Sequence, residues 1–214
     1  MTGKQLACRI GGKDMTYNNQ RCRDWTHPYQ WEGEGNLHDS GCGIFSLCHI
    51  AQWLTGKVQQ PEAWADFACT YGGRGDDGTD RPELLSAIIR EGRNEELGFC
   101  CPDPSLQNDK DKLFHLIYDL HGAALCNLRL GHIVALVDAR IVDGQKQLLV
   151  IDSYSESASD KVRNSVCEVL EQTAISYDIR NDAGLVTGTG VSYGAFWVDA
   201  QLPMNFNLLE PLQK

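Results

Sequence analysis

The sequence lacks the cysteine pairs and the long apolar runs that mark several common classes of protein. No C-x-x-C pair occurs among its nine cysteines, so the usual signatures of zinc sites and thioredoxin-type redox centres are missing. No apolar run reaches the length of a signal peptide or a membrane span. Internal repeats and low-complexity tracts are also missing. We therefore expect a reduced, cytoplasmic protein with no membrane segment.

Positive charge is scarce as well. The chain has 19 Lys and Arg residues against 29 Asp and Glu residues, a net charge of −10. This balance argues against nucleic acid as a partner, because phosphate binding needs clustered basic side chains. A chain of 214 residues fits one domain. Such a domain buries about 70% of its unfolded surface, so it needs no disulfide or metal to fold. The sequence does not indicate an oligomeric state.

One cysteine stands between two glycines at the start of a strongly helical apolar pattern. This pattern runs from Ile44 to Leu54, directly after Cys42, and Gly56 supplies a natural stop. In the first turn of a helix, backbone N–H groups and the positive end of the macrodipole favour the thiolate form of a cysteine. The alternative is that Cys42 is a small core residue at a tight turn.

Helical patterns come first along the chain, and strand patterns follow. The further helices are predicted over residues 61–68, 84–91 (with Asp80 as a possible cap) and 109–120. The strands are predicted over residues 123–130, 133–137, 148–151 and 192–198, with a hairpin turn at Asp143–Gly144. Residues 160–176 fit either a helix or an irregular excursion. The order of elements predicts an α+β fold with segregated layers.

Residues 1–35 show no sustained period of 2 or 3.6. We expect an irregular aromatic arm there, ahead of a domain spanning residues 36–214. Its clustered ring-bearing residues are Trp25, His27, Pro28, Tyr29 and Trp31. These side chains either pack on the body of the domain or line a substrate cleft. A cleft-capping arm is a further hypothesis, under which removal of residues 1–30 raises activity.

Three short motifs, in this order, resemble those of papain-like cysteine peptidases. They are Gly41-Cys42-Gly43 opening a helix, the run 131–137 beginning Gly131-His132 and opening a strand, and the run 150–153 ending the next strand. The resemblance covers about residues 36–155 and is nearest to the compact bacteriocin-processing peptidases for double-glycine leaders, with their stand-alone relatives. It implies a papain-like fold, with a helical half led by the cysteine and an antiparallel β half that carries the histidine.

The resemblance also implies the roles of four residues. Cys42 would be the nucleophile, His132 the general base, and Asp152 the group that orients the imidazole. Asn36 stands where the family has a glutamine that donates to the oxyanion, and it carries the same amide on a shorter side chain. A peptide or protein would be the substrate, and the chemistry needs no metal or organic cofactor.

Reasoning from the residues alone also favours His132 as the base, but it does not bring Asp152 within reach of His132. Of the six histidines, His132 stands at the mouth of a buried strand, although a satisfied histidine at a strand end is the alternative. A two-residue turn at 143–144 would pair Asp152 with Ala135, on the other face from His132. A one-residue bulge would restore the face but not the distance.

Two other functions fit the same residues. A papain-fold acyltransferase or transglutaminase-like enzyme would use the same three groups with an amine as acceptor. A non-catalytic peptide-binding module would keep the fold without the reaction.

Overall fold

A computed structural model describes residues 4–129, 131–154, 169–180 and 185–212. The helices are α1 (Leu37–Ser40), α2 (Cys42–Thr55), α3 (Pro61–Tyr71), α4 (Arg81–Arg90), α5 (Asn94–Leu97) and α6 (Lys110–Tyr118). The first strands are β1 (Gln5–Ile10), β2 (Lys13–Asn18), β3 (Pro28–Trp31), β4 (Glu34–Asn36), β5 (Arg74–Gly75), β6 (Gly78–Thr79) and β7 (Phe99–Cys100). The later strands are β8 (Ala123–Arg129), β9 (His132–Val142), β10 (Gln145–Ile151), β11 (Glu171–Arg180), β12 (Val186–Asp199) and β13 (Asn205–Pro211).

The fold is mixed α/β and is built on one large antiparallel sheet. Its seven strands lie in the order β11-β12-β10-β9-β8-β13-β7, so β9 and β10 occupy the middle. The strand pairs β1–β2, β3–β4 and β5–β6 form separate two-stranded sheets. Among the described residues, the helices all precede the six strands β8 to β13 along the chain, as the predicted order of elements requires.

The central strand β9 divides the core into two layers. Ile133 and Ala135 point into a cluster that includes Ile44 and Leu47 of α2. Val134, on the opposite face, belongs to a second cluster that includes the buried side chains of α6. This alternation is the period of 2 expected for a strand covered on both faces. Helix α2 is therefore fixed directly against the strand that begins at His132.

Several local predictions are confirmed. Helix α2 begins at Cys42 and ends where Gly56 adopts the left-handed conformation, at φ 74°. The Asp80 side chain caps α4 by accepting from the Glu83 N–H at 3.1 Å. The hairpin between β9 and β10 turns at Asp143–Gly144 with φ of 50° and 82°, as its two-residue connection demands. The prediction of a helix or an irregular excursion over residues 160–176 is wrong for 171–176, which belong to β11, and residues 160–168 lie outside the described residues.

The prediction of an irregular N-terminal arm is wrong for the part that forms β1 to β4. Gly11 and Gly12, at φ 54° and 80°, turn the first hairpin. Trp25 and Tyr29 are buried in the main core cluster, which confirms the packing interpretation for these two rings. The strands β3 and β4 are only four and three residues long, but β1 and β2 have the usual length of six, and their alternation of apolar and polar residues was a usable signal that was missed. The boundary between arm and domain stays a prediction.

The described helices include none that is long and apolar enough to cross a membrane.

Close packing at Gly194 gives a test of the contact between β12 and the N-terminal hairpin. A Cβ atom at Gly194 would overlap the ring of Tyr17. We expect Gly194→Ala to lower the free energy of unfolding by about 1–3 kcal/mol, the usual cost of overpacking. Gly75→Ala is the matched control, because its nearest new neighbour, Asp80, would be 3.8 Å away. Urea denaturation measures both, and equal stabilities for the two variants would contradict the packing described.

Candidate active site

The first residue of α2, Cys42, lies at the edge of the main core cluster. The residue as a whole is partly buried and packs against that cluster. Gly43 packs against Thr79, where a Cβ atom would come within 2.5 Å of the threonine side chain. A larger residue after Cys42 would therefore push β6 away. The missing side chain at Gly43 allows this close approach.

A β-bulge between β9 and β10 decides where the end of β10 falls. Leu149 pairs with Asp138, but the next residue, Val150, pairs with Leu136, so β9 carries one extra residue. The register then aligns Ile151 with Ala135. Continued by one residue, it brings Asp152 to the same face of the sheet as His132. A hairpin register without this bulge would place Asp152 on the opposite face from His132.

Asp152 and His132 meet in a buried hydrogen-bonded pair. His132 Nε2 lies 2.7 Å from Asp152 Oδ1, and the carboxylate side chain is completely buried. Because Nε2 faces the carboxylate, Nδ1 is left for the sulfur of Cys42. The Asp152 N–H donates to the Gly194 carbonyl at 2.6 Å, so Asp152 continues the pairing of β10 with β12. In the bulged register Asp152 follows Ile151 to a position diagonal to His132 on the same face, a separation that two side chains can span.

The surroundings of Cys42 and His132 shift the pKa values of both side chains. Burial acts to raise the pKa of Cys42, but the hydrogen bond and charge of His132, with the N–H groups of Ile133 and Gly43, bring it below its usual range. Burial acts to lower the pKa of His132, while the charge and hydrogen bond of Asp152, with a smaller effect of Cys42, raise it to about 10. The arrangement favours a thiolate beside an imidazolium at neutral pH.

Further hydrogen bonds hold the aspartate in place. The Tyr154 N–H donates to Asp152 Oδ1 at 2.8 Å. The hydroxyl of Tyr17, in β2, donates to the Asp152 carbonyl at 2.6 Å. The other carboxylate oxygen, Oδ2, is buried without a hydrogen-bond partner among the described residues. Backbone and carboxylate of Asp152 are thus fixed from different parts of the chain.

A serine one turn along α2 ties the helix to the histidine strand. Ser46 is completely buried, and its Oγ donates to the Ile133 carbonyl at 3.1 Å. The N–H of Ile133 in turn contributes to lowering the pKa of Cys42. Sequence reasoning missed this residue, although a lone hydroxyl four positions after Cys42 in an apolar helix was a usable signal.

Asn36 has a defined structural task in the folded chain. Its side-chain Oδ1 caps α1 by accepting from the Asp39 N–H at 3.0 Å. This bond occupies the oxygen of the amide and leaves the Nδ2 group available as a donor. The predicted role of Asn36 as an oxyanion donor stays a prediction.

The remaining buried histidine in α2 is part of the core. His49 Nε2 accepts from the Asn18 N–H at 2.9 Å, and its ring stacks on Tyr17. Burial lowers the pKa of His49 to about 3, so the ring is neutral. Within the described ranges, no group of three or more His, Cys, Asp or Glu side chains is arranged to hold a metal ion.

Comparison with known proteins adds little to this geometry. No family model and no curated protein matches the sequence. Among solved structures, the chain is similar to UfSP from C. elegans, with a TM-score of 0.49 and 12% identity over 100% of this chain and 35% of that one. The chain therefore spans about a third of that structure's chain. The narrower likeness to bacteriocin-processing peptidases has no support from these comparisons, and function is argued below from the site.

The pKa directions predict how Cys42 reacts with iodoacetamide. Alkylation of Cys42, followed by mass spectrometry of its peptide, should reach half its maximal rate well below pH 8.5, the value for an ordinary thiol. In His132→Gln the half-maximal pH should rise above that of an ordinary thiol, because burial then acts without a compensating charge. The Cys42→Ala chain gives the background from the other thiols. Identical profiles for wild type and His132→Gln would contradict the coupling.

Proposed function

We propose that the chain is a cysteine peptidase of papain-like fold that hydrolyses a peptide bond through Cys42, His132 and Asp152. The observation that carries the proposal is the 2.7 Å contact between His132 and the buried Asp152, beside a partly buried Cys42 whose pKa is lowered by His132. A nucleophile, a base and a group that orients the base form the arrangement expected for nucleophilic catalysis.

Acylation follows from the protonation states. The Cys42 thiolate attacks the carbonyl carbon of the scissile amide and forms a C–S bond, and the electron pair of the C=O bond moves to the oxygen. His132, already protonated, donates its proton to the leaving nitrogen as the C–N bond breaks. The amine product leaves, and the acyl group remains on Cys42 as a thioester. Asp152 keeps the imidazole ring oriented throughout.

Deacylation uses the same groups in reverse. Neutral His132 takes a proton from water, and the hydroxide so formed attacks the thioester carbonyl. The C–S bond breaks, the acid product leaves, and the thiolate–imidazolium pair is restored. No external oxidant, reductant or metal enters either step.

The oxyanion of both tetrahedral intermediates needs donors that are already in place. The backbone N–H of Cys42, at the start of α2, is one donor of the proposed pair, and Nδ2 of Asn36 is the other. Donors of this kind stabilise the transition state because they need no reorganisation as charge develops on the oxygen.

The alternatives differ in their acceptor or in the reaction itself. An acyltransferase would use an amine in place of water in the second half-reaction and would give amide products when amines are added. A peptide-binding module has no need for a thiol of lowered pKa beside a charged histidine. The lowered pKa of Cys42 therefore favours an enzyme over a module.

Cleavage of a proteome-derived peptide library, read by mass spectrometry, tests the activity. We expect defined cleavage by the wild-type chain and at least about a 1,000-fold loss in Cys42→Ala and His132→Ala, as for other nucleophile–base pairs. Cys48→Ala is the matched control, because this thiol is buried in the same helix and burial raises its pKa. Equal cleavage by wild type and Cys42→Ala would remove the proposal, and amide products with added amines would favour the acyltransferase.

Asn36→Ser separates the two tasks of Asn36. Serine is a good helix cap, so α1 should survive while the amide donor is lost. Loss of an oxyanion donor costs about 100- to 1,000-fold in kcat, and we expect a fall of this size with little change in KM. Asp109→Ser makes the corresponding exchange at the cap of α6, away from the site, and should leave kcat unchanged. A wild-type kcat for Asn36→Ser would exclude Asn36 as the donor.

A further inference from the structure

A buried glutamine from the N-terminal segment lies between the two halves of the candidate site. Gln20 follows β2 and is only 3% exposed. It makes two hydrogen bonds to Ser153, which follows Asp152, and two to His38, which lies in α1 just ahead of Cys42. One residue therefore joins the chain that carries the aspartate to the chain that leads into the nucleophile.

The contacts on the aspartate side use both backbone and side chain. The Gln20 N–H donates to the Ser153 carbonyl at 2.8 Å. Ser153 Oγ donates to Gln20 Oε1 at 3.0 Å, and Ser153 is completely buried. Asp152 is the neighbouring residue, so it cannot shift in the core without breaking these bonds.

On the cysteine side the backbone and the side chain of Gln20 exchange their roles as donor and acceptor. Gln20 Nε2 donates to the His38 carbonyl at 3.0 Å, and His38 Nδ1 donates to the Gln20 carbonyl at 2.8 Å. A carbonyl oxygen can only accept, so the NH₂ end of the amide must face His38 and its oxygen must face Ser153. An amide satisfies both sides at once, which neither a carboxylate nor an apolar side chain can do.

We propose that Gln20 is a positioning residue of the site, which holds Asp152 in register with Cys42 by joining Ser153 to His38. This inference rests on the proposed function for its consequence in catalysis, but not for its geometry. It also opposes the idea that the N-terminal arm caps the cleft, since a deletion of residues 1–30 would remove a support of Asp152.

The consequence for the sulfur follows from the charges already described. If Asp152 loses its place, the imidazolium of His132 loses its counter-ion, and the pKa of Cys42 moves back up. Titratable and charged groups surround this network at three places. Those near the sulfur of Cys42 are His132, Tyr29 and Arg81. Those near the carboxylate of Asp152 are His49 and Tyr154, and those beside Gln20 are Arg21, His38 and Asp39.

Neutral substitutions test the proposal without adding charge. In Gln20→Met, which loses both contacts of the side-chain amide, we expect the half-maximal pH for iodoacetamide alkylation of Cys42 to rise by about one unit. In Ser153→Ala, which loses only the aspartate-side side-chain bond, the shift should be smaller and in the same direction. The double variant should match Gln20→Met if Ser153 acts through Gln20.

Gln59→Met is the matched control. Gln59 is also buried, and its Oε1 accepts from Trp64 Nε1 at 3.1 Å at the start of α3. This variant should lose stability without moving the titration of Cys42. A wild-type profile in folded Gln20→Met, or an equal shift in Gln59→Met, would overturn the proposal. If Gln20→Met does not fold, the alkylation profile of Ser153→Ala tests the proposal instead. An unshifted profile in Ser153→Ala would then overturn the proposal.

Failure of this inference and failure of the proposed function give different results. Alkylation of Cys42 needs no peptide substrate, so the titration reports on Gln20 even in a chain that cleaves nothing. A chain that shows the shift but hydrolyses no peptide loses the proposed function and keeps Gln20 as the support of a thiolate–imidazolium pair.

Discussion

The buried contact between His132 and Asp152 controls the chemistry of the whole site. An ionised carboxylate taken out of water costs several kcal/mol unless it is paired and hydrogen-bonded. Asp152 is completely buried, and it is compensated by the imidazole and by the Tyr154 N–H. The same charge that needs a partner keeps His132 protonated. The protonated ring then lowers the pKa of Cys42, so in the proposed site the ionisation of the sulfur depends on a carboxylate that directly follows β10.

The pairing of Asp152 with His132 depends on one departure from regular β-structure, the bulge in β9. The extra residue in β9, Val137 between Leu136 and Asp138, changes the face on which the end of β10 presents its side chains. Asp152 then lies diagonal to His132 on one face, and the two side chains span the remaining distance. Ser46 on one side, and Tyr17 with Gln20 on the other, hold these irregular segments against α2 and the N-terminal hairpin. The site is therefore a product of several long-range contacts.

Sequence reasoning succeeded where the signal was local. The apolar period after Cys42, the stop at Gly56 and the cap at Asp80 each act within a few residues, and the structure has all three. The turn at Asp143–Gly144 was equally clear. The coarse prediction of helices followed by an antiparallel sheet came from the order of these elements, whereas the assignment of Cys42, His132 and Asp152 as a catalytic set stays a prediction.

The features that escaped prediction depend on distant partners. The sequence allowed both a bulged and an unbulged register for the hairpin, because a bulge leaves both apolar runs intact. The hydroxyl of Tyr17 and the carbonyl of Asp152 are separated by 135 residues in sequence, and Gln20 and Ser153 by 133. No periodicity links such positions. The N-terminal strands also contain no motif that indicates a role for their residues in supporting the site.

Nitrogen NMR of the His132 ring tests the central claim most directly. The account predicts that both ring nitrogens carry protons at pH 7 in the free protein, that the ring titrates near pH 10, and that Asp152→Asn makes it neutral at pH 7. A neutral ring that titrates near the usual value of about 6.5 in the wild-type chain would contradict it.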